Sequence, residues 1–152
     1  MKKLLLSTLF SALLAGQAVA NENFEVKVEE LAKSTASWEG SALPAYGKGE
    51  PEITILKITI PPGIQLPLHM HPVINAGVLT KGQLTVFTKG KKKKLEMKAG
   101  DSIVEIVNQW HYGRNEGDVP AEIIVFYAGT KDKAVTVAAP VTLPADSPVV
   151  TN

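Results

Sequence analysis

All three histidines of the chain, His69, His71 and His111, fall in two short segments, and that placement limits the folds open to it. The first segment reads Pro62-Gly63-Ile64-Gln65-Leu66-Pro67-Leu68-His69-Met70-His71-Pro72. In a strand, residues two apart project from the same face, so His69 and His71 aim at one point. His111 stands forty residues after His71, past a hairpin signal and a Gly100-Asp101 turn. Only a fold that lays two distant strands together unites it with the other two. A neutral imidazole is the commonest metal ligand, and three of them leave coordination positions open for chemistry.

The surrounding sequence reads as strands and turns. Glu52 to Ile60 is rich in β-branched residues and ends at Pro61-Pro62-Gly63. Ala76 to Leu79 leads to a turn at Lys81-Gly82, and Leu84–Thr88 with Lys94–Met97 forms a hairpin whose tip, Lys89 to Lys93, is basic. A basic tip suits a solvated turn and discourages edge-to-edge aggregation. Ser102 to Val107 and Ala121 to Tyr127, the second following the turn Asn115-Glu116-Gly117-Asp118, supply two more strands. Short strands separated by turns, with no helical crossover units, predict an all-β barrel or sandwich. The 152 residues, 45% of them hydrophobic, suit one globular core, with no internal repeat and no second domain.

Two spaced patterns carry a family resemblance. Gly63, five residues, His69-x-His71, three residues, Asn75, six residues and Gly82 form the first; Gly100, His111 and Asn115 mark the second. Together they resemble the two motifs of the cupin superfamily, and the chain is similar to its small, single-domain bacterial members. Three positions depart from the motifs: Asn75 stands where a glutamate is usual, and Ile106 and Asn108 replace a proline and a glycine. The resemblance implies a single cupin-type double-stranded β-helix, or jelly-roll, barrel. It also implies a metal held by His69, His71 and His111 with the residue at position 75, and a homodimer. The superfamily includes enzymes, binding proteins and seed-storage proteins, so the fold alone does not settle activity.

Asn75 offers a carbonyl oxygen but no charge. A divalent ion on three neutral imidazoles therefore keeps its full +2 and its Lewis acidity. Imidazoles suit iron, zinc, copper and nickel, whereas manganese favours carboxylates; any of these five divalent transition metals fits the expectation. Glu105 is a candidate substitute carboxylate. It lies amid apolar residues in Asp101-Ser102-Ile103-Val104-Glu105-Ile106-Val107, and if Ile103 faces inward, so does Glu105. A buried carboxylate wants a cation, a hydrogen-bond partner or a proton, so Glu105 is read as metal ligand or general base. The alternative is an outward residue or a structural ion pair. The histidines, too, have a bland alternative as hydrogen-bonded core residues, but three at ligand spacing with none elsewhere favour a metal. Gln65, Met70, Trp110, Tyr112 and Arg114 flank the motifs, and alternation turns Met70 away from the histidines.

The ends of the chain read differently. Met1-Lys2-Lys3, the apolar stretch Leu4 to Ala15 and the small-x-small Ala18-Val19-Ala20 predict a secretory signal over residues 1–20, cut after Ala20. Its apolar run falls short of the roughly 20 residues needed to span a bilayer, so no stable membrane anchor is expected after cleavage. Without it the chain carries 14 basic and 15 acidic side chains, a formal charge of −1, which gives no bias toward nucleic acid. The absence of cysteine excludes disulfides, lipidated cysteine and thiolate ligands. A periplasmic or secreted protein is expected. Residues 21–50 read as an arm and loop: Phe24 to Glu29 alternates as an edge strand, or an arm on a partner subunit, or opens a short helix through Leu31, while Trp38 and Tyr46 are expected to pack on the core. Residues 51–130 read as the barrel and 131–152 as an extended tail, in which Val135-x-Val137 can add an edge strand.

These readings converge on an exported small-molecule metalloenzyme, nominally a dioxygenase of a phenolic or enolisable substrate. Decarboxylase and isomerase chemistry stay open, as does a non-catalytic periplasmic cupin that binds a metal or small ligand.

Overall fold

A computed structural model describes residues 25–140. The expected signal segment, and the tail beyond residue 140, lie outside the described residues. Nine strands form: β1 (Pro51–Ile60), β2 (His69–Met70), β3 (Ile74–Lys81), β4 (Gln83–Thr88), β5 (Lys94–Lys98), β6 (Ser102–Val104), β7 (His111–Arg114), β8 (Ala121–Thr130) and β9 (Val137–Ala138). A 3-10 turn at Lys89–Lys91 makes the basic hairpin tip. Among the described residues no helix is long and apolar enough to cross a membrane.

The strands form two antiparallel sheets, ordered β1-β8-β3-β6 and β5-β4-β7-β2-β9, which is the all-β jelly-roll expected. Alternation decides what lies between them. Along β8, Ala121, Ile123, Val125 and Tyr127 are buried while Glu122, Ile124 and Phe126 point outward. The inward set meets Ile60, Leu79, Leu84, Val86, Met97 and Ile103 in one core. Each such aliphatic side chain contributes about 1.5–3 kcal/mol on burial. Ten consecutive pairs join β1 to β8, from Pro51↔Thr130 to Ile60↔Ala121.

Two turns show why particular residues are needed. Gly82 has φ 71°, and a Cβ there would sit 2.7 Å from the Pro120 carbonyl oxygen, so only glycine joins β3 to β4 without displacing backbone. Asn115 is fully buried. Its amide donates to the carbonyls of Ile60 and Val119, at 2.9 and 2.8 Å, and its Oδ1 accepts the Gly117 N–H at 2.9 Å. The side chain thereby ties the end of β1 to the turn before β8.

Several expectations are corrected. Residues 25–33 form neither strand nor helix; Val26 and Val28 are 87% and 91% exposed. The alternation there joins no ladder, and a lone strand pattern without one gains nothing from being extended. Trp38 does pack on the core, with its backbone N–H bonded to the Val104 carbonyl at 2.9 Å, but Tyr46 is 77% exposed. The strand expected to reach Val107 stops at Val104; Val107 bridges His71 instead, and the chain turns at Asn108, where φ is 58°. Within residues 131–140 the edge-strand alternative holds: after a turn at Asp132 (φ 63°) the segment returns to the five-stranded sheet, where β9 pairs with β2 at its edge.

Candidate metal centre

The five-stranded sheet supplies the histidines. His69 and His111 are direct partners across β2 and β7, and His71 follows on the same face, bridged to Val107. One potential ligand atom from each comes within 4.8 Å of the others, and the ring centroids lie 4.6 to 5.0 Å apart.

Backbone carbonyls orient all three rings. His69 Nδ1 lies 2.7 Å from the Pro67 oxygen, His111 Nδ1 lies 2.9 Å from the Gln109 oxygen, and His71 Nδ1 lies 2.9 Å from the Val135 oxygen. A carbonyl can only accept, so each Nδ1 carries the hydrogen and each Nε2 keeps its lone pair. Burial holds His71 and His111 down to about 4, and repulsion from neighbouring imidazoles adds to it. Both rings are therefore neutral near pH 7, the form that binds metal.

The facing sheet contributes a polar row. Asn75 on β3 is the register partner of Tyr127 on β8, and the Asn75 carbonyl accepts the Glu105 N–H at 3.1 Å on its other side. All three side chains are buried. The Tyr127 ring packs 5.4 Å from His71, and Glu105 Oε2 lies 3.6 Å from His111 Nε2. That distance would suit an ion pair, but burial pushes the Glu105 carboxyl up to about 7 and the imidazole down. Both shifts favour uncharged groups, so in the metal-free protein between about pH 4 and pH 7 the two meet as acid and neutral ring. Tyr127 is likewise raised, by burial first, while a hydrogen bond from Thr136 lowers it and the charge of Glu105 adds to the rise.

A metal fits this donor set. Glu105 Oε2, His111 Nε2 and Asn75 Oδ1 are buried without any hydrogen-bond partner, and unpartnered buried polar atoms are costly. At His111 and Glu105 the atoms left over are lone-pair donors, which a cation satisfies and an apolar group does not. Asn75 differs from the histidines in placement: its Nδ2 donates to the Val73 carbonyl at 3.1 Å, and it does not line the cavity the histidines share. The carboxylate beside the histidines is Glu105, just past the end of β6.

That cavity measures about 260 Å³ and is walled by Leu56, Ile58, Leu84, Val86, Ile123 and Val125, with His69, His71, His111, Glu105, Tyr127 and Thr136 at its polar end. No lysine or arginine lines it among the described residues. Gln65, Met70, Trp110, Tyr112 and Arg114 do not line it either; Tyr112 stacks on Phe87 at 5.2 Å, and Arg114 is exposed. Tyr127 and Thr136 were not singled out from sequence. Tyr127 shares the parity of Ile123 and Val125, which was the signal available; Thr136, in an apparent tail, carried none.

The fold and site define an all-β barrel with a three-histidine centre that can hold a metal ion. The family model for the Cupin domain matches residues 56–127, just under half of the chain, and supports its placement in the cupin superfamily. Two solved structures agree on the fold. One is an uncharacterized conserved protein with a double-stranded β-helix domain from Klebsiella pneumoniae, 20% identical, TM-score 0.50, covering 62% of this chain and 88% of that one. Another is the oxalate decarboxylase of Bacillus subtilis, 23% identical, TM-score 0.50, covering 57% of this chain and 23% of that one. The Lactobacillus farciminis oxalate decarboxylase is 23% identical with TM-score 0.49, covering 57% of this chain. The matched region spans only 26% of that enzyme's length. No curated protein matches the sequence.

Proposed function

We propose that the protein is a metal-dependent enzyme acting on a small, largely apolar molecule, specifically a dioxygenase of a phenolic or enolisable substrate. The observation that carries this reading is the convergence of three neutral imidazoles beside a buried, unpartnered carboxylate. A divalent transition metal held by His69, His71 and His111 supplies Lewis acidity, open coordination positions and, for iron or copper, redox chemistry. Glu105 takes the hydroxyl or enol proton at Oε2. Burial raises its carboxyl to about 7 in the metal-free protein, and a neighbouring cation lowers it again, so the loaded site holds it ionised and able to accept a proton. The leucine, isoleucine and valine walls hold a ring or short alkyl group and exclude water from the proton in transit. A small dicarboxylate finds no cationic side chain in that lining.

Oxygen uptake by metal-loaded protein over a panel of phenols, diketones and thiols tests this. Glu105→Gln is expected to keep its metal and lose rate by about 10². No uptake with any member refutes the oxygenase reading, and tightly held metal without turnover points instead to a binding module.

Export and assembly are also proposed. Cleavage after Ala20 rests on the pattern of residues 1–20 and places the protein in the periplasm or outside the cell; an intact mass beginning at Asn21 is the expected result. A homodimer is supported by Ile53, Ile55, Ile124 and Phe126, which stand exposed on the outer face of paired strands. Light scattering is expected to give twice the chain mass, falling to the monomer on Phe126→Asp.

A further inference from the structure

We propose that Thr136 is a positioning residue for the ligand His71, and that residues 131–140 are a working part of the metal centre. This rests on the reading of the three histidines as a metal site and identifies what holds one of them.

The histidine-bearing strand β2 has only two residues. On one side it makes a single pair, His69↔His111. On the other it makes two pairs with β9, His69↔Ala138 and Met70↔Val137, extended by the Ala139 N–H bonded to the Leu68 carbonyl at 2.8 Å. The returning segment thus provides more of the ladder of β2 than β7 does.

The three rings also differ in what orients them. His69 and His111 each use the carbonyl two residues earlier in sequence, just before their strands begin, so those bonds are local to the chain. His71 relies on the Val135 carbonyl, 64 residues away, and on the Thr136 hydroxyl, 3.1 Å from the same Nδ1. The Tyr127 ring packs on His71 as well. An imidazole can bind a metal through either nitrogen, and an acceptor at Nδ1 selects Nε2 while raising its basicity. For His71 alone, that selection is made by the returning segment. Thr136 is exposed at the cavity wall, so replacing it does not open the core.

The test is a zinc competition titration of the full chain, read beside the imidazole 15N spectrum of the metal-free protein. Thr136→Val is expected to weaken zinc binding about tenfold, the low end for such oriented ligands, because Val135 retains part of the contact. The His71 Nδ1–H resonance is expected to move, and Thr136→Ser is expected to restore both. Matching thermal melts of the metal-free proteins show that folding is intact; if the valine variant melts early, Thr136→Ala replaces it in the same titration. Zinc affinity within twofold of wild type, with an unmoved resonance, overturns the role of Thr136 while leaving the metal site standing. Wild-type protein that binds no zinc, or His71→Ala that binds as well as wild type, overturns the metal reading and this inference with it.

Discussion

Replacing Glu105 with glutamine is expected to stabilise the metal-free protein at alkaline pH. The carboxyl is buried, its Oε2 has no hydrogen-bond partner, and burial moves its pKa from 4.5 to about 7. Between those values the folded state holds a proton that the unfolded state has released, so stability falls as pH rises through this window. The full displacement corresponds to about 3 kcal/mol at pH 8 and about 1 kcal/mol at pH 5. His71 and His111, held down to about 4, act oppositely: their contribution is complete above 6.5 and is lost as pH falls through about 4. Both proteins share them, so to first order they cancel in the comparison. Urea unfolding in chelator, followed by the fluorescence of Trp38 and Trp110, is the assay. With a slope of about 1–3 kcal/mol per molar, the glutamine variant should gain about 1–3 M in midpoint at pH 8 and much less at pH 5. An unchanged or lower midpoint at pH 8 refutes the argument, because it shows the native carboxylate ionised and paired. Adding metal should shrink or reverse the gain, since a neighbouring cation favours the charged carboxylate.

Three further outcomes follow from individual contacts. His111→Ala, which removes the ring that pairs with His69 and faces Glu105, should abolish stoichiometric metal retention in elemental analysis after dialysis. Gly82→Ala should cost about 1–3 kcal/mol in a denaturant titration, because it places a Cβ against the Pro120 carbonyl at positive φ. Asn115→Ala should cost about 3 kcal/mol, read as a lower melting temperature, since it leaves two buried carbonyls and one N–H without their partner.

Much of the architecture was legible because strands have a period of two. His69 and His71 share a face, Ile103 and Glu105 share another, and the glycine and proline turns divide the barrel strands close to where they end. What escaped is what depends on long-range partners. Residues 25–33 carry a strand-like alternation, yet strand formation requires an edge to pair with, and composition cannot show whether one is available. Tyr46 looks like core but stands on a loop whose packing is borne by Trp38. The proline-rich run after Lys131 reads as extended, and β9 is extended; its destination against β2 was invisible because no local signal encodes a pairing across more than sixty residues. Tyr127 and Thr136 were missed for the same reason: their meaning comes from His71, not from their neighbours in sequence.

The long ladder between β1 and β8 sets the order of events in the life of the chain. Pro51–Ile60 has no partner in its own sheet until Ala121–Thr130 has been synthesised, and β2 lacks half its ladder until Val137–Ala138 has emerged. Assembly dominated by such distant pairings is slow and comes late, and the growing chain stays open throughout. A metal ion meeting the nascent polypeptide finds a His-x-His segment that is not yet a binding site. Under the proposed metal binding and export, selection of the ion belongs to the compartment in which folding finishes, whatever metals the site of synthesis contains.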